Sequence, residues 1–326
     1  MTRWARRALS TFAALCAGAL LSASACAPLP PARAFAGKIE PFHEGGRFAV
    51  VGDLQRTSWL EFWRESNDAE REVVAHAIAA SHPALLAITG DLVFDGSSAK
   101  QWAQLDATCA PIRDAGIPAF AALGNHEHWG GKSGQEHLFE RFPHLENKHF
   151  YAVAYGPVRL LFLDSNLTEQ TPAAGEAQRV WYETTLARLD ADPEVRGVLV
   201  LLHHPPYTNS TVTSDEPCVQ QVIVPPLVRA RKTLALLSGH VHSYERFVHE
   251  GKMFVVSGGG GGPRARLAEG ADRRHPDDLF HGPPIRDFHF TVYTVTATGL
   301  EAEVMGLPKG GTSVAPIDHF QLPWAP

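Results

Sequence analysis

Cysteine is scarce in this chain: four occur among 326 residues, at positions 16, 26, 109 and 218. None stands in the close pair that a thiolate metal centre uses, so such a centre is excluded. An oxidising compartment would permit Cys109 and Cys218 to pair, but sequence leaves their separation open. Positive charge is short as well, with 29 Lys and Arg against 35 Asp and Glu and a net charge of -6. A broadly basic nucleic-acid surface is thereby excluded. An anionic substrate would need local help, such as bound cations. Nor is there an apolar run of the roughly 20 residues that a membrane-spanning helix needs. What remains is an ordinary globular composition, 44% hydrophobic and 20% charged, sufficient for one large domain or two small ones.

The N-terminus places Arg3, Arg6 and Arg7 before an apolar stretch from Ala8 to Leu21 and then small residues. That order is the order of an export signal over residues 1–26. "ASA" before Cys26 suits ordinary cleavage and secretion, whereas Cys26 itself suits lipidation as a membrane-anchored lipoprotein; Ala23 in place of leucine favours cleavage. The protein is therefore expected in the periplasm or outside the cell, with no membrane span and a lipid anchor at Cys26 as the alternative. A Pro-rich linker follows over residues 27–45.

From Arg47 onward, short apolar runs alternate with helical patterns. "RFAVVGD", "ALLAITGD" and "IPAFAALGNHE" are separated by helical stretches, the βαβαβ order of buried strands with crossover helices. "HFYAVAYG" and "VRLLFLDS" read as a hairpin turning at Gly156-Pro157. A helix over about Glu176–Leu189 leads into "RGVLVLLHH", and "TLALLSG", "FVVSGGGGG" and two strands meeting at Thr298-Gly299 complete the domain, 46–306. The tail, 307–326, is rich in Pro and Gly and reads as irregular.

The polar residues collect at strand ends. Asp53 ends the first run, Asp91 the second, Asn125 and His126 the third, His203 and His204 a later one, and His240 with His242 the last. Each alone has an ordinary explanation as a turn or a capped strand end. Together they fall on the edge where open α/β sheets place ligands. A strand points successive side chains to opposite faces, so His240 and His242 converge only if a turn intervenes, which Gly239 can supply. Carboxylates, an amide oxygen and imidazoles suit borderline divalent cations, in number enough for two. A pair of ions about 3.5–4 Å apart holds a phosphoryl group and acidifies a water between them. Phosphoester hydrolysis is the chemistry that fits.

"VVGDLQRTS", "TGDLVFDG", "LGNHE", "LLHHPPY" and "SGHVHSYERF" stand in the order and spacing of the calcineurin-like metallophosphoesterases. Their wording most resembles the purple acid phosphatase branch, as does "QRVWYETTL" ahead of the fourth motif. The resemblance runs from about Arg47 to Gly306. It implies an α/β, four-layer αββα sandwich of two mixed β-sheets flanked by helices, with a dinuclear site at the strand ends. Position by position it implies that Asp91 bridges two transition metal ions, divalent or mixed-valence Fe, Mn or Zn. Asp53 and His242 would serve one ion; Asn125, His203 and His240 would serve the other. His203 is chosen over His204 because H-x-P-x-Y then aligns Pro205 and Tyr207. His126 would stabilise charge or protonate the leaving group as the catalytic residue.

Two departures stand out. The purple branch carries a tyrosinate where this chain has Phe94, so no ferric charge-transfer colour is expected. Most other members carry D-x-H where this chain has Gln55, either a replacement ligand or a donor behind the ligands. His126, His128, His204 and Tyr207 are candidate substrate contacts, with Lys132 and His137 in the same histidine-rich stretch. The arginine that protein serine/threonine phosphatases use for phosphate is absent from "GDLVFDG", which argues against that class. The leading expectation is an exported phosphomonoesterase acting on a phosphorylated small molecule. A phosphodiesterase of the same fold and a non-catalytic envelope binding protein with a degraded metal site are the alternatives.

Overall fold

The computed structural model describes residues 29–129 and 131–325. Residues 1–26, read above as an export signal, lie outside the described residues, Cys26 among them. The three N-terminal apolar runs become β1 (Arg47–Val51), β2 (Leu86–Ile88) and β3 (Ala119–Ala121). Between them lie helices Asp68–Ala80, Ala99–Thr108 and Ala110–Asp114. The hairpin is β4 (Tyr151–Tyr155) and β5 (Val158–Phe162), turning at Gly156 with φ 54°. Helix Pro172–Ala191 precedes β6 (Gly197–Leu201), and β7 (Thr233–Ser238) carries the two-histidine motif at its end. The chain continues through β8 (Tyr244–His249), β9 (Lys252–Ser257), β10 (Phe288–Val295), β11 (Gly299–Leu307) and β12 (Ala315–Pro323).

These strands form two six-stranded sheets, ordered β12-β11-β10-β1-β2-β3 and β4-β5-β6-β7-β9-β8. Both are mixed: β1, β2 and β3 run parallel with β10 antiparallel, and β5, β6, β7 and β9 run parallel with β4 and β8 antiparallel. Alternation of side chains explains the layering. In the second sheet Leu160, Phe162, Leu199, Leu201, Ala235 and Leu237 join the core that holds Phe48, Tyr293 and Leu300 of the first. Their neighbours Leu161, Val198, Val200 and Leu236 face the other way, onto Tyr182, Leu186 and Leu189 of helix Pro172–Ala191. Sheets face each other and helices lie outside, the expected four-layer sandwich.

Register positions the site. Val51 pairs beside Ile88 and Ile88 beside Ala121, while Phe162, Leu201, Leu237 and Val255 stand level across the other sheet. The residues that follow these positions therefore emerge along neighbouring edges.

Two stretches differ from the sequence reading. The tail 307–326 is not irregular: β12 pairs with β11 and buries Phe320 and Leu322. Its prolines are tolerated because the strand lies at a sheet edge, where a missing N–H costs no ladder bond. The linker is tied down near its middle, where Phe35 stacks on Phe142 at 4.9 Å and its N–H donates to the Arg141 carbonyl at 2.8 Å. Cys109 is buried and Cys218 partly exposed, and neither is paired.

Candidate metal centre

Asp53, Asp91 and His240 all sit just past strand ends with left-handed backbone, φ 60°, 53° and 67°. Side chains other than glycine rarely adopt that region, at a cost of roughly 1–3 kcal/mol each, and such strain clusters where a side chain must be aimed. Glycines make the aiming sterically feasible. A Cβ on Gly124 would collide with the Asp91 carboxylate, and one on Gly239 with the Asp53 carboxylate. The "GN" and "GH" of the motifs are thus requirements of close approach.

Glu127 fixes the turns relative to each other. Its buried carboxylate accepts from the N–H groups of Gly124 at 2.8 Å, Asp91 at 2.9 Å and Leu92 at 2.8 Å. Burial and the neighbouring Asp91 charge push its pKa up to about 7. The glycine-rich loop braces the other side, where Gly260 donates to the Gly52 carbonyl and Gly262 to the Asp53 carbonyl, both at 2.8 Å.

Four candidate ligand atoms converge. His203 Nε2 lies 3.0 Å from Asn125 Oδ1, 3.1 Å from His240 Nδ1 and 3.1 Å from Asp91 Oδ2. His240 Nδ1 is 3.0 Å from Asn125 Oδ1. Ligands about 2.0–2.2 Å from one zinc-like ion at tetrahedral angles are separated by about 3.3–3.6 Å, so this spacing is close to that of a coordination shell. The ring orientation agrees: His203 Nδ1 faces the Thr89 carbonyl at 2.9 Å, which accepts its N–H and leaves Nε2 with a lone pair. That lone pair faces two oxygen acceptors. Only a cation, or a proton on the ring, reconciles them. Without an ion the proton does so: burial opposes charge on His203, but Asp91 outweighs it and raises the pKa to about 9. Asp91 feels the same pairing, since burial pushes it up while His203 and His126 hold it well below the carboxylate range. Burial, with His203 and His204 beside it, drives His240 down.

The second group is less complete. His242 Nε2 stands 3.4 Å from Asp53 Oδ1 and 3.3 Å from Gln55 Nε2, while His242 Nδ1 donates to the Pro263 carbonyl at 2.9 Å. Asp53 also accepts from the His240 N–H at 3.0 Å. Gln55 Oε1 is buried without a hydrogen-bond partner. The two ends of this amide differ only in assignment, so one turned about its axis would offer the orphaned oxygen to an ion held by Asp53 and His242. The donor set therefore fits cations at both groups, and Asp91 and Asp53 approach closely enough to share a cluster with His203.

The remaining candidates are distributed unevenly. His126 lines the cleft of about 250 Å³ with Gln55, Asp91, Asn125, His240 and His242. Its Nδ1 donates to the Phe94 carbonyl, leaving Nε2 3.6 Å from Asp91 Oδ2. Phe94 and Trp129 pack on that imidazole at centroid distances of 4.9 and 4.0 Å. His204 accompanies His203 and His240 but belongs to an adjoining hollow with His128, Ser165 and Trp129. Burial and His203 depress its pKa to about 3, and Ser165 Oγ lies 2.9 Å from its Nδ1. His128 turns to the buried Asp164 carboxylate, 3.4 Å away, which also holds His149 at 3.0 Å. Tyr207 does not reach the cleft; its ring finds aromatic partners instead, packing on His249 at 4.1 Å and Phe254 at 5.1 Å. Lys132 pairs with Glu136 on the surface and His137 with Glu140. Conversely, Glu61, Arg64 and Trp129 line the cleft, although Glu61 and Arg64 fall in none of the motifs read from the sequence.

The family model for calcineurin-like phosphoesterases matches residues 46–244. The chain belongs to the calcineurin-like phosphoesterase family. Among curated relatives, purple acid phosphatase 22 of Arabidopsis thaliana is 27% identical over 219 residues. That alignment covers 61% of this chain and 45% of the relative, so the chain spans under half the relative's length. Two solved structures support the fold. Purple acid phosphatase PPD1 from yellow lupin gives a TM-score of 0.62 at 20% identity, covering 87% of this chain and 55% of that one. GAP50, the anchor in the inner membrane complex of Plasmodium, gives 0.65 at 15% identity, covering 86% and 89%. No helix among the described residues is long and apolar enough to cross a membrane.

Proposed function

We propose that this phosphoesterase is an exported, metal-dependent hydrolase of phosphate monoesters. The observation that carries the reading is the convergence of His203 Nε2, His240 Nδ1, Asn125 Oδ1 and Asp91 Oδ2 within 3.0–3.1 Å of one another along four contacts. One transition metal ion would be held by these four residues, a second by Asp53, His242 and Gln55, with Asp91 between them. Bound there, such ions supply positive charge to the phosphoryl oxygens and acidify a water for attack at neutral pH.

The chain's own groups do the rest. A water oxygen bonds to phosphorus, the ester P–O bond breaks, and the leaving oxygen requires a proton. His126 is placed to hold that proton, because its Nδ1–H is committed to the Phe94 carbonyl and Nε2 is left to the cleft. Phe94 and Trp129 wall the imidazole and keep bulk water from it. Arg64 adds a cation to the lining, fixed by Glu61 Oε1 at 3.1 Å and the Pro263 carbonyl at 2.6 Å. Glu127 and the strained turns of Asp53, Asp91 and His240 keep the groups in place before substrate arrives.

Export rests on the order of residues in 1–26 and monoester preference on the purple acid phosphatase relative. Hydrolysis of nitrophenyl mono- and diesters, with and without Mn²⁺ or Zn²⁺ and across pH, tests the chemistry. Metal-dependent turnover favouring the monoester is expected. Preference for the diester would revise the substrate, and no turnover with any ion by folded protein would overturn the reading. The second reading, binding without turnover, is favoured by Gln55, whose neutral amide oxygen holds a transition metal ion less tightly than an imidazole or a carboxylate would.

A further inference from the structure

Residues 58–65, "SWLEFWRE", hold large apolar side chains in the open beside the metal cleft. Trp59, Leu60, Phe62 and Trp63 are 83%, 53%, 85% and 71% exposed. Soluble proteins seldom leave so contiguous an apolar group uncovered unless something binds it. The segment is not loose chain. Ser58 caps the short turn Trp59–Glu61 through the Leu60 N–H, and Glu61 returns a bond to the Ser58 N–H at 3.1 Å. Thr57 Oγ1 donates to the Glu65 carbonyl at 2.7 Å, and Glu65 grips Arg264 at 2.8 and 2.9 Å. The base is stapled while the aromatic tip is held away from the core.

That base is registered against the candidate ligands. The Pro263 carbonyl accepts from Arg64 Nη2 and also from His242 Nδ1. Glu61 and Arg64 line the cleft on one side and, on the other, a hollow of about 630 Å³ that includes Trp59, Phe62, Lys100 and Gln104. The cleft and this aromatic-edged hollow thus share Glu61 and Arg64, so the hollow adjoins the place where a phosphate would sit.

We propose that Trp59 and Phe62 form the leaving-group subsite of this enzyme and that its substrates are phosphate monoesters of aromatic alcohols. The assignment rests on the phosphoesterase reading above and names the substrate class for it. Aromatic side chains bind rings by offset or edge-on contact. Lys100 and Gln104 also line the hollow and offer hydrogen-bond donors to polar substituents on such a ring.

The test compares 2-naphthyl phosphate with glycerol phosphate in the metal-loaded chain and in Trp59→Ala/Phe62→Ala. Taking each ester's variant-to-parent ratio of kcat/KM cancels intrinsic leaving-group reactivity. The ratio for the naphthyl ester should fall roughly two- to tenfold further than that for glycerol phosphate, the range of one or two aromatic contacts. Trp59→Phe/Phe62→Tyr should restore most of the difference. Equal loss on both esters, or none, would overturn the subsite while leaving the phosphoesterase reading intact. If the parent chain hydrolyses neither ester, both fall. Pelleting with phosphatidylcholine vesicles that depends on Trp59 and Phe62, without a selective kinetic effect, would also overturn it and assign the tip to a lipid surface.

Discussion

The two candidate ion positions are built from the same kinds of residue but to different tolerances. Around His203 the ligand atoms stand 3.0–3.1 Å apart, and the ring is locked by the Thr89 carbonyl behind it. Around His242 the corresponding distances are 3.3–3.4 Å, and a buried amide oxygen on Gln55 has no partner. A shell whose donors already face one point loses little on binding, whereas one that must turn an amide loses more. The difference teaches that the His203 position should hold its ion tightly and the His242 position should exchange.

The sharpest way to break this comparison is to remove the residue placed between the groups. Asp91→Asn should lower kcat/KM on the order of a hundredfold or more and reduce bound metal, with thermal unfolding still cooperative. Near-normal turnover would remove Asp91 from its proposed role. Next in size, His203→Ala should weaken metal retention about tenfold more than His242→Ala when each variant competes with a chelator. Equal losses would mean that the geometric contrast has no energetic counterpart. A smaller effect in the opposite direction is expected of Gln55→His, which should retain a second equivalent of Mn²⁺ or Zn²⁺ through dialysis where the parent chain loses it. If the variant holds no more metal than the parent, Gln55 lies behind the ligands.

The smallest effect lies outside both groups and serves as their reference. Glu245 is buried, accepts from Thr208 Oγ1 at 2.5 Å and the Asn209 N–H at 2.8 Å, and is pushed up to about 7, mainly by burial. The folded chain keeps this proton to a higher pH than the unfolded chain, whose ordinary carboxyl loses it near 4.5. Stability is therefore lost as pH rises between those values. Glu245→Gln should flatten that slope and gain melting temperature relative to the parent from pH 5 to pH 8, equally with and without metal. A pH-independent difference would show that the carboxylate is not burdened in the fold.

Much of this centre was legible in the sequence for a physical reason. A parallel strand buried on both faces is a short apolar run, and the acidic, amide or imidazole side chains in the turn after it stand at the sheet's edge. Asp53, Asp91, Asn125, His203 and His240 were each visible in that way. Gly124 and Gly239 were visible too, although their reason, room for the carboxylates of Asp91 and Asp53, appears only in three dimensions. β8 and β12 were not read as strands. "YERFVH" and "APIDHFQLP" lack clean alternation because both are edge strands with one face only partly covered.

Tyr207 and His128 show where local reading fails. Motif spacing brings them near the site, but side-chain direction was settled by distant partners, His249 and Phe254 for the one and Asp164 for the other. Arg64 shows the converse, entering the cleft through a bond to Pro263 almost two hundred residues away.

By itself, then, the sequence determined which residue types end which strands, because hydrophobic periodicity is a local property of the chain. Only the tertiary structure decided which of them meet. Each candidate ion position draws from both sheets, Asp53 and Gln55 with His242, and Asp91 and Asn125 with His203 and His240. Packing of the two inner faces sets those distances, and no single segment encodes that packing.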